Sequence, residues 1–275
     1  MLEDKRREGV GWRNPAVWAA WLVLAFLSAP SLIVLPLSFS DDTVLRFPPQ
    51  AWSSRWYVAF FASMEWREAA TRSLLVATAT TLVAMPVGVA TALALRNRSG
   101  RWENVVRIAV LSPIFVPGVL FGVAVLFLYA QLRLNNTLLG LVLAHSAVAL
   151  PFVTVLMEAG AAQLDRSLEV AAASLGASPL RVIATVTLPL LRPSILSAAL
   201  FAFLASFDEI ALAYFISSGE YATLPRRMFS ALRDSIDPTI AVVSSLLIVI
   251  TSALIMLTFV VGIGQRRTRQ TGLER

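Results

Sequence analysis

Apolar runs long enough to cross a membrane alternate with short polar connections along this 275-residue chain. A helix needs about 20 apolar residues to traverse roughly 30 Å of hydrocarbon. Six stretches qualify: residues 17–39, 70–95, 105–132, 138–157, 195–216 and 240–263. The expected fold class is therefore all-α, a polytopic membrane protein with six transmembrane helices in one domain, 1–275. The polar remainder falls into a tail at 1–16, a loop at 40–69, a long polar island at 158–194, a loop at 217–239 and a tail at 264–275. The first apolar run follows Lys5, Arg6, Arg7 and Arg13, but it is longer than a secretory h-region and lacks a clear A-x-A site, so an uncleaved anchor is expected.

The island has a pattern of its own. Asp165 can cap a helix whose apolar positions Leu168, Ala171, Ala172 and Leu175 recur at three- and four-residue spacing. Gly176 is the natural stop, because it reaches the left-handed conformation beyond the last turn. Ser178 as cap and Pro179 in the first helical position then start a second helix through Val182, Val186 and Leu190, which Pro189 bends and Pro193 leads into the fifth span. A helix, a glycine corner and a second helix outside the bilayer are expected, with small residues at 171–173 open to another protein's surface.

Composition supports the membrane reading and excludes several chemistries. Hydrophobic residues make up 57% of the chain and charged ones 15%, with mean hydropathy +0.72. There is no cysteine and one histidine, His145, so thiolate or His-rich metal sites are not expected. The net charge of +6 sits in short clusters between apolar runs, which argues for topology rather than nucleic-acid binding. Arginines at 96, 98, 101, 166, 181, 192, 266, 267 and 269 fall on the side of the N-terminal tail, and the positive-inside rule makes that side cytoplasmic, with both termini there. The opposite loops hold Asp41, Asp42, Glu65, Glu68, Glu220, Asp234 and Asp237. In the first of them, FPPQ and WSSRWY suit either an interfacial loop or a docking surface for an external partner. Lys5 is the only lysine, so the phosphate-binding loop G-x-x-x-x-G-K-[ST] is absent and any ATP hydrolysis must occur on another subunit.

Within the spans, Pro113, Pro117, Gly118 and Gly122 imply either a broken helix near the midplane or a packing kink. His145, near Pro151, is expected as a neutral imidazole bonded to a neighbouring helix, with a substrate role as the alternative. Asp208 and Glu209 interrupt the fifth apolar run, where a charge at a helix centre costs roughly 2.5–3.5 kcal/mol on insertion scales. They either bond to a neighbouring helix or an arginine, or line the path of a cationic solute. In the second case Phe207 and Tyr214 could cover its alkyl stretches and attract its charge. No nucleophile, base or metal constellation marks an enzyme, and no residue is offered as catalytic.

ASLGASPLRVIATVTLPLLRP resembles the cytoplasmic coupling loop of permease subunits in ATP-binding-cassette (ABC) importers, whose pattern is E-A-A, three residues, G, nine residues, I-x-L-P. Ala171, Ala172, Gly176, Val186, Leu188 and Pro189 match it. Val170 stands at the pattern's glutamate, with Glu169 one residue before. Together with FPP, RWY, SPIFVPGV, LAHSAVALPF, SFDE and IDPTIA, the chain is similar to the spermidine/putrescine branch, second permease type. The resemblance implies a type I importer permease fold in a bacterial inner (plasma) membrane. It places Glu169, Ala171, Ala172, Gly176, Ala177, Ser178, Leu188 and Pro189 at an ATPase contact. The partners implied are a sister permease, two ATPase subunits carrying ATP and Mg, an external solute-binding protein and the lipid bilayer, with no cofactor on this chain. The implied solute is a polyamine; the alternatives are another small solute such as a phosphonate, an opine or a metal, or a carrier driven by an ion gradient.

Overall fold

The computed structural model describes residues 15–96, 98, 100–234, 237–253 and 256. These residues are mostly helical with no strand; a single antiparallel bridge pairs Ser40 with Trp52. The tails at 1–14 and 264–275, and the end of the sixth apolar run, lie outside the described residues. Contacts divide the chain into two units, the first built from residues up to 62 with 231–253 and the second from 63–230.

In the first unit, α1 (Pro15–Leu37) is apolar all round and exposed along almost its whole length, as suits a helix surrounded by lipid or another subunit. The following loop folds back on itself. The Asp41 amide donates to the Ala51 carbonyl at 3.0 Å, the Ser53 amide to Phe39 at 2.7 Å, and the Trp56 indole to Asp42 at 3.2 Å. A short helix, α2 (Arg55–Ala62), carries Tyr57, whose hydroxyl lies 2.8 Å from Ser38 Oγ and 3.4 Å from Ser245 Oγ in the apolar helix Thr239–Ala253.

The second unit opens with α3 (Met64–Leu95), which starts before its apolar run does because the Ser63 hydroxyl accepts the Trp66 amide. Its 32 residues span about 48 Å at 1.5 Å per residue. Then come α4 (Arg101–Phe115), α5 (Gly118–Leu132) and α6 (Leu138–Ala162), the last capped by Thr137 Oγ1 on the Gly140 amide at 3.0 Å. α7 (Arg166–Ser174), α8 (Pro179–Val182), one π-helical turn (Ile183–Thr187) and α9 (Leu188–Leu190) lead into α10 (Arg192–Phe207) and α11 (Ala211–Ile216). α12 (Leu224–Asp234) follows and carries the chain back to the first unit.

Among the described residues three helices, α1, α3 and α6, are long and apolar enough to cross a membrane unbroken, and the number rises to five when each bent pair counts as one span. The third expected span is two helices meeting at 108°. Pro117 forces Val116 into extended backbone (φ −88°, ψ 125°), which ends α4 at Phe115 and starts α5 afresh. The break is therefore more than a packing kink. α4 and α5 have 15 residues each, about 22 Å, so neither crosses 30 Å alone. The fifth expected span, 195–216, is also not one helix: α10 ends at Phe207 and α11 begins at Ala211. A further bend of 76° separates Pro179–Leu190 from α10 at the buried Leu191.

α3, α6 and α10 pack through small side chains. Ala84, Ala92, Ala149, Ala198 and Ala202 surround Met157 and Val153, all buried. Small residues let backbones approach, the usual means of helix association in lipid. A second buried cluster joins α3, α5, α6 and α11 through Val76, Val125, Leu141 and Leu212.

Candidate functional site: the polar loop and the interrupted fifth span

The loop between α6 and α10 is built by local signals. Asp165 Oδ1 accepts the Ser167 amide at 2.9 Å, and this bond holds the carboxyl below the usual aspartate range. At the far end of α7, the Leu175 amide donates to Ala171 and the Gly176 amide to Ala173 at 2.9 Å, while the Ala177 amide reaches back to Ala172 at 3.2 Å. Gly176 turns the chain with φ +87°, in the left-handed region that glycine enters without strain.

The second half departs from the expected single helix. Ser178 is extended and Pro179 sits in the first turn, but the Ser178 side chain makes no cap bond. After four residues the helix widens into the π turn, where the Leu188 amide donates to Ile183. Pro189 explains the widening. It has no N–H, and in a regular helix its ring would meet the carbonyl four residues back, which a wider turn relieves.

The loop turns apolar side chains outward and its acid inward. No residue of α7 is buried, and Val170, Leu180 and Leu175 are 56%, 79% and 90% exposed. Ala171 and Ser178 are exposed, whereas Ala172 and Ala177 are half-buried, as are Leu188 and Pro189. Glu169 points the other way. Both its carboxylate oxygens accept from Arg96 Nη1, at 2.8 and 3.0 Å, and Oε1 also accepts the Thr187 hydroxyl at 2.7 Å. Sequence reasoning missed Arg96 and Thr187 as partners, since 73 and 18 positions separate them from Glu169.

At the interruption of the fifth span, the two acids have different surroundings. Glu209 is half-buried and its Oε1 accepts the Leu212 amide at 3.0 Å, satisfying a donor in the first turn of α11. Asp208 is exposed and, among the described residues, its carboxylate has no hydrogen-bond or ion-pair partner. Neither acid forms a salt bridge with a described arginine. His145, fully buried on α6, holds the break from the side: its Nδ1 lies 3.0 Å from the Ser206 carbonyl and 2.9 Å from Ser206 Oγ. An unbroken helix would give that carbonyl to the Ile210 amide. The imidazole therefore bonds to a neighbouring helix, as expected.

The two aromatic residues have separate neighbours. Phe207 stacks on Phe203 with centroids 5.6 Å apart, while Tyr214 packs edge-on to Phe215 and Phe229. The Arg226 guanidinium lies 5.9 Å from the Tyr214 ring, so an internal cation already faces that ring. Burial draws Arg226 below the usual arginine range, with Tyr214 opposing the shift, and no carboxylate is within ion-pair distance among the described residues. Nearby, Arg227 pairs with Glu65 and lies over Trp66. Arg226, Arg227 and Glu65 border a cavity of about 320 Å³ at this end, with Glu68 and Glu220.

α5 and α11 form one packed unit beside the break. A side chain at Gly122 would approach Phe215 Cδ2 to 2.7 Å, and one at Gly118 would approach Ala211 Cβ to 3.3 Å. The start of α5 thus lies against the start of α11, bringing the interruptions of two spans together.

Known proteins share both the sequence and the architecture. A family model described as "binding-protein-dependent transport system inner membrane component" matches residues 84–270. The chain is 31% identical over 248 residues to the putrescine transport system permease protein PotI of Escherichia coli (strain K12), covering 85% of this chain and 88% of that one. It is 35% identical over 209 residues to the molybdenum transport system permease protein ModB of Mycobacterium tuberculosis (strain ATCC 25618 / H37Rv), covering 70% and 77%. Its fold resembles a chain from the crystal structure of a bacterial ABC transporter that imports the acidic polysaccharide alginate. The TM-score is 0.69 at 14% identity, over 93% of this chain and 96% of that one.

Proposed function

The chain belongs to the binding-protein-dependent transport system inner membrane components, in the branch that includes polyamine permeases, and is a permease subunit of an importer; from that premise we propose its partners, its drive and its solute. It pairs with a sister permease to enclose a path. Two cytoplasmic ATPase subunits drive the pair, and an external binding protein delivers the solute. Both termini face the cytoplasm, on the arginine-rich side.

One observation carries the drive: a folded polar loop presents Val170, Leu175 and Leu180 to solvent although no residue of its first helix is buried in the chain. Exposed apolar side chains on a capped, rigid corner suit a partner's groove. Lys5 being the only lysine, a lysine-bearing phosphate loop has to come from that partner. ATP-driven closure of the ATPases then moves the loop, and the bends next to it convert this motion into opening of the path to one side at a time.

For the solute, a polyamine is the reading supported by Asp208. Its exposed carboxylate stands at the C-terminal end of α10, where the last carbonyls add negative potential, so an ammonium group gains from both. Glu209 is occupied by α11, and Tyr214 by Arg226, so the path reduces to Asp208 with the stacked Phe203 and Phe207 beside it. An oxyanion is the second reading. It is favoured by the unpaired, half-buried Arg226 and by the molybdenum permease relative. A binding screen on the solute-binding protein that co-purifies with the assembled transporter separates the two. Spermidine or putrescine binding supports the first, molybdate binding replaces it with the second, and uptake by the lone chain in liposomes overturns the ATP-driven scheme.

A further inference from the structure

Four elements meet at the guanidinium of Arg96. This residue ends α3, its Nη1 holds both oxygens of Glu169 in α7, and its Nη2 reaches the Leu164 carbonyl just beyond α6 at 3.5 Å. Thr187, the last residue of the π turn, completes the set through Glu169 Oε1. The side chains of Arg96 and Glu169 are only 13% and 22% exposed, so water screens the pair little. Two charge-assisted bonds from one nitrogen make this a strong and oriented contact.

Beside its packing on α8 and the π turn, α7 has one polar tie to the rest of the bundle among the described residues. No residue of α7 is buried, and among the described residues its only side-chain hydrogen bonds to other elements run through Glu169. Ser174 bonds within its own helix, to the Val170 carbonyl. Without the ion pair, α7 would keep only its chain ends and its packing on α8 and the π turn, and a push on it could be absorbed by the glycine corner. The inward Glu169 also accounts for the outward Val170: on a helix, neighbours point about 100° apart, so one of the two positions faces the bundle and the other the partner.

We infer that Arg96, Glu169 and Thr187 form a latch that transmits displacement of the polar loop to α3, to the end of α6 and to the entry of the fifth span. The three are positioning residues for transport and touch neither solute nor nucleotide. The π turn belongs to the device, since its wider bonding sets where Thr187 falls. This inference rests on the ATP-driven reading above.

The test uses the complete transporter in liposomes, with ATPase subunits and solute-binding protein, and measures ATP hydrolysis and solute uptake in the same vesicles. In Arg96→Gln and Glu169→Gln the ATPase subunits stay bound and hydrolysis continues. Uptake per ATP hydrolysed falls about tenfold, the scale of a typical coupling free energy between two sites. Thr187→Val loses less, and Arg96→Glu combined with Glu169→Arg recovers most of the wild-type ratio. Single variants that keep the wild-type ratio overturn the latch, as does a swapped pair no better than its parents, or a loss of uptake matched by loss of bound ATPase. Should Arg96→Gln and Glu169→Gln fail to fold into the membrane at all, Thr187→Val and the swapped pair decide by the same ratio. A wild-type transporter without ATP-driven uptake overturns the functional reading itself; a coupled wild type with equally coupled variants overturns the latch alone.

Discussion

α3 and α6 run through the second unit without a break, whereas the two spans packed on them, α4–α5 and α10–α11, are both interrupted. The continuous pair stays helical through Pro86 and Pro151, and Gly88 lets α3 settle directly on Val153 of α6. The interrupted spans leave backbone and acidic groups to be satisfied by other means: His145 takes the Ser206 carbonyl, and Glu209 takes the Leu212 amide. Continuous helices thus form a frame, and irregular backbone is confined to spans that the frame can clamp. His145 shows the division of labour, because it belongs to the frame and holds the break.

The contrast can be broken most severely from the frame side. Met157→Ala empties a fully buried site at the α3, α6 and α10 contact, and a loss of about 2–5 kcal/mol is expected for such a truncation. Thermal unfolding of the purified transporter in detergent should show it as a lower midpoint with the same partners bound. Gly122→Ala acts on the interrupted pair instead, pressing a methyl against Phe215. Overpacking of this kind costs about 1–3 kcal/mol, and the expected signature is reduced uptake with the frame's melting transition retained.

Smaller effects sharpen the contrast between the two acids. Asp208→Asn should lower uptake of a polyamine by several-fold while leaving stability alone, since its carboxylate supports no described neighbour. Glu209→Gln keeps an oxygen for the Leu212 amide and should lower uptake less. Equal losses in the two variants would remove the distinction drawn between them. The smallest effect belongs to Asp165. Its carboxyl is depressed by the Ser167 amide, so its contribution is present above the pKa of a free aspartate and fades as pH falls through the lower folded value. Protection of the first-turn amides of α7, measured as exchange relative to the intrinsic rate at each pH, should accordingly fall in acid, and Asp165→Ala should show the lower protection already at neutral pH.

Much of the polar loop was legible in the sequence because its signals are local. Asp165 with Ser167, and the positive φ at Gly176 with its three backward bonds, each involve residues within five positions of one another. Pro117 likewise announces the break in the third span through its effect on Val116. The fifth span reads as one run with two acids inside it, because apolar residues continue on both sides of Asp208 and Glu209; that the helix stops there shows only in the bonds to a histidine 61 positions away and from Glu209 to the Leu212 amide. Glu169 reads as a surface acid near a motif, and only its contact with Arg96 reveals that it faces the bundle. Phe207 and Tyr214 stand in one run of the sequence, and the structure gives them different neighbours.

The amino-acid pattern alone determined that this chain is a helical membrane protein, that its longest polar loop has a glycine corner after a capped helix, and that a lysine-bearing phosphate loop is missing. Those properties follow from hydrophobic length, backbone sterics at Pro and Gly, and residue identity, none of which needs a distant partner. Only the tertiary structure decided where the fifth span stops, which of two adjacent acids is free, and that Arg96, Glu169 and Thr187 share one site. Each of these depends on a polar group finding its partner across the bundle, and in a low-dielectric interior that partner fixes the conformation.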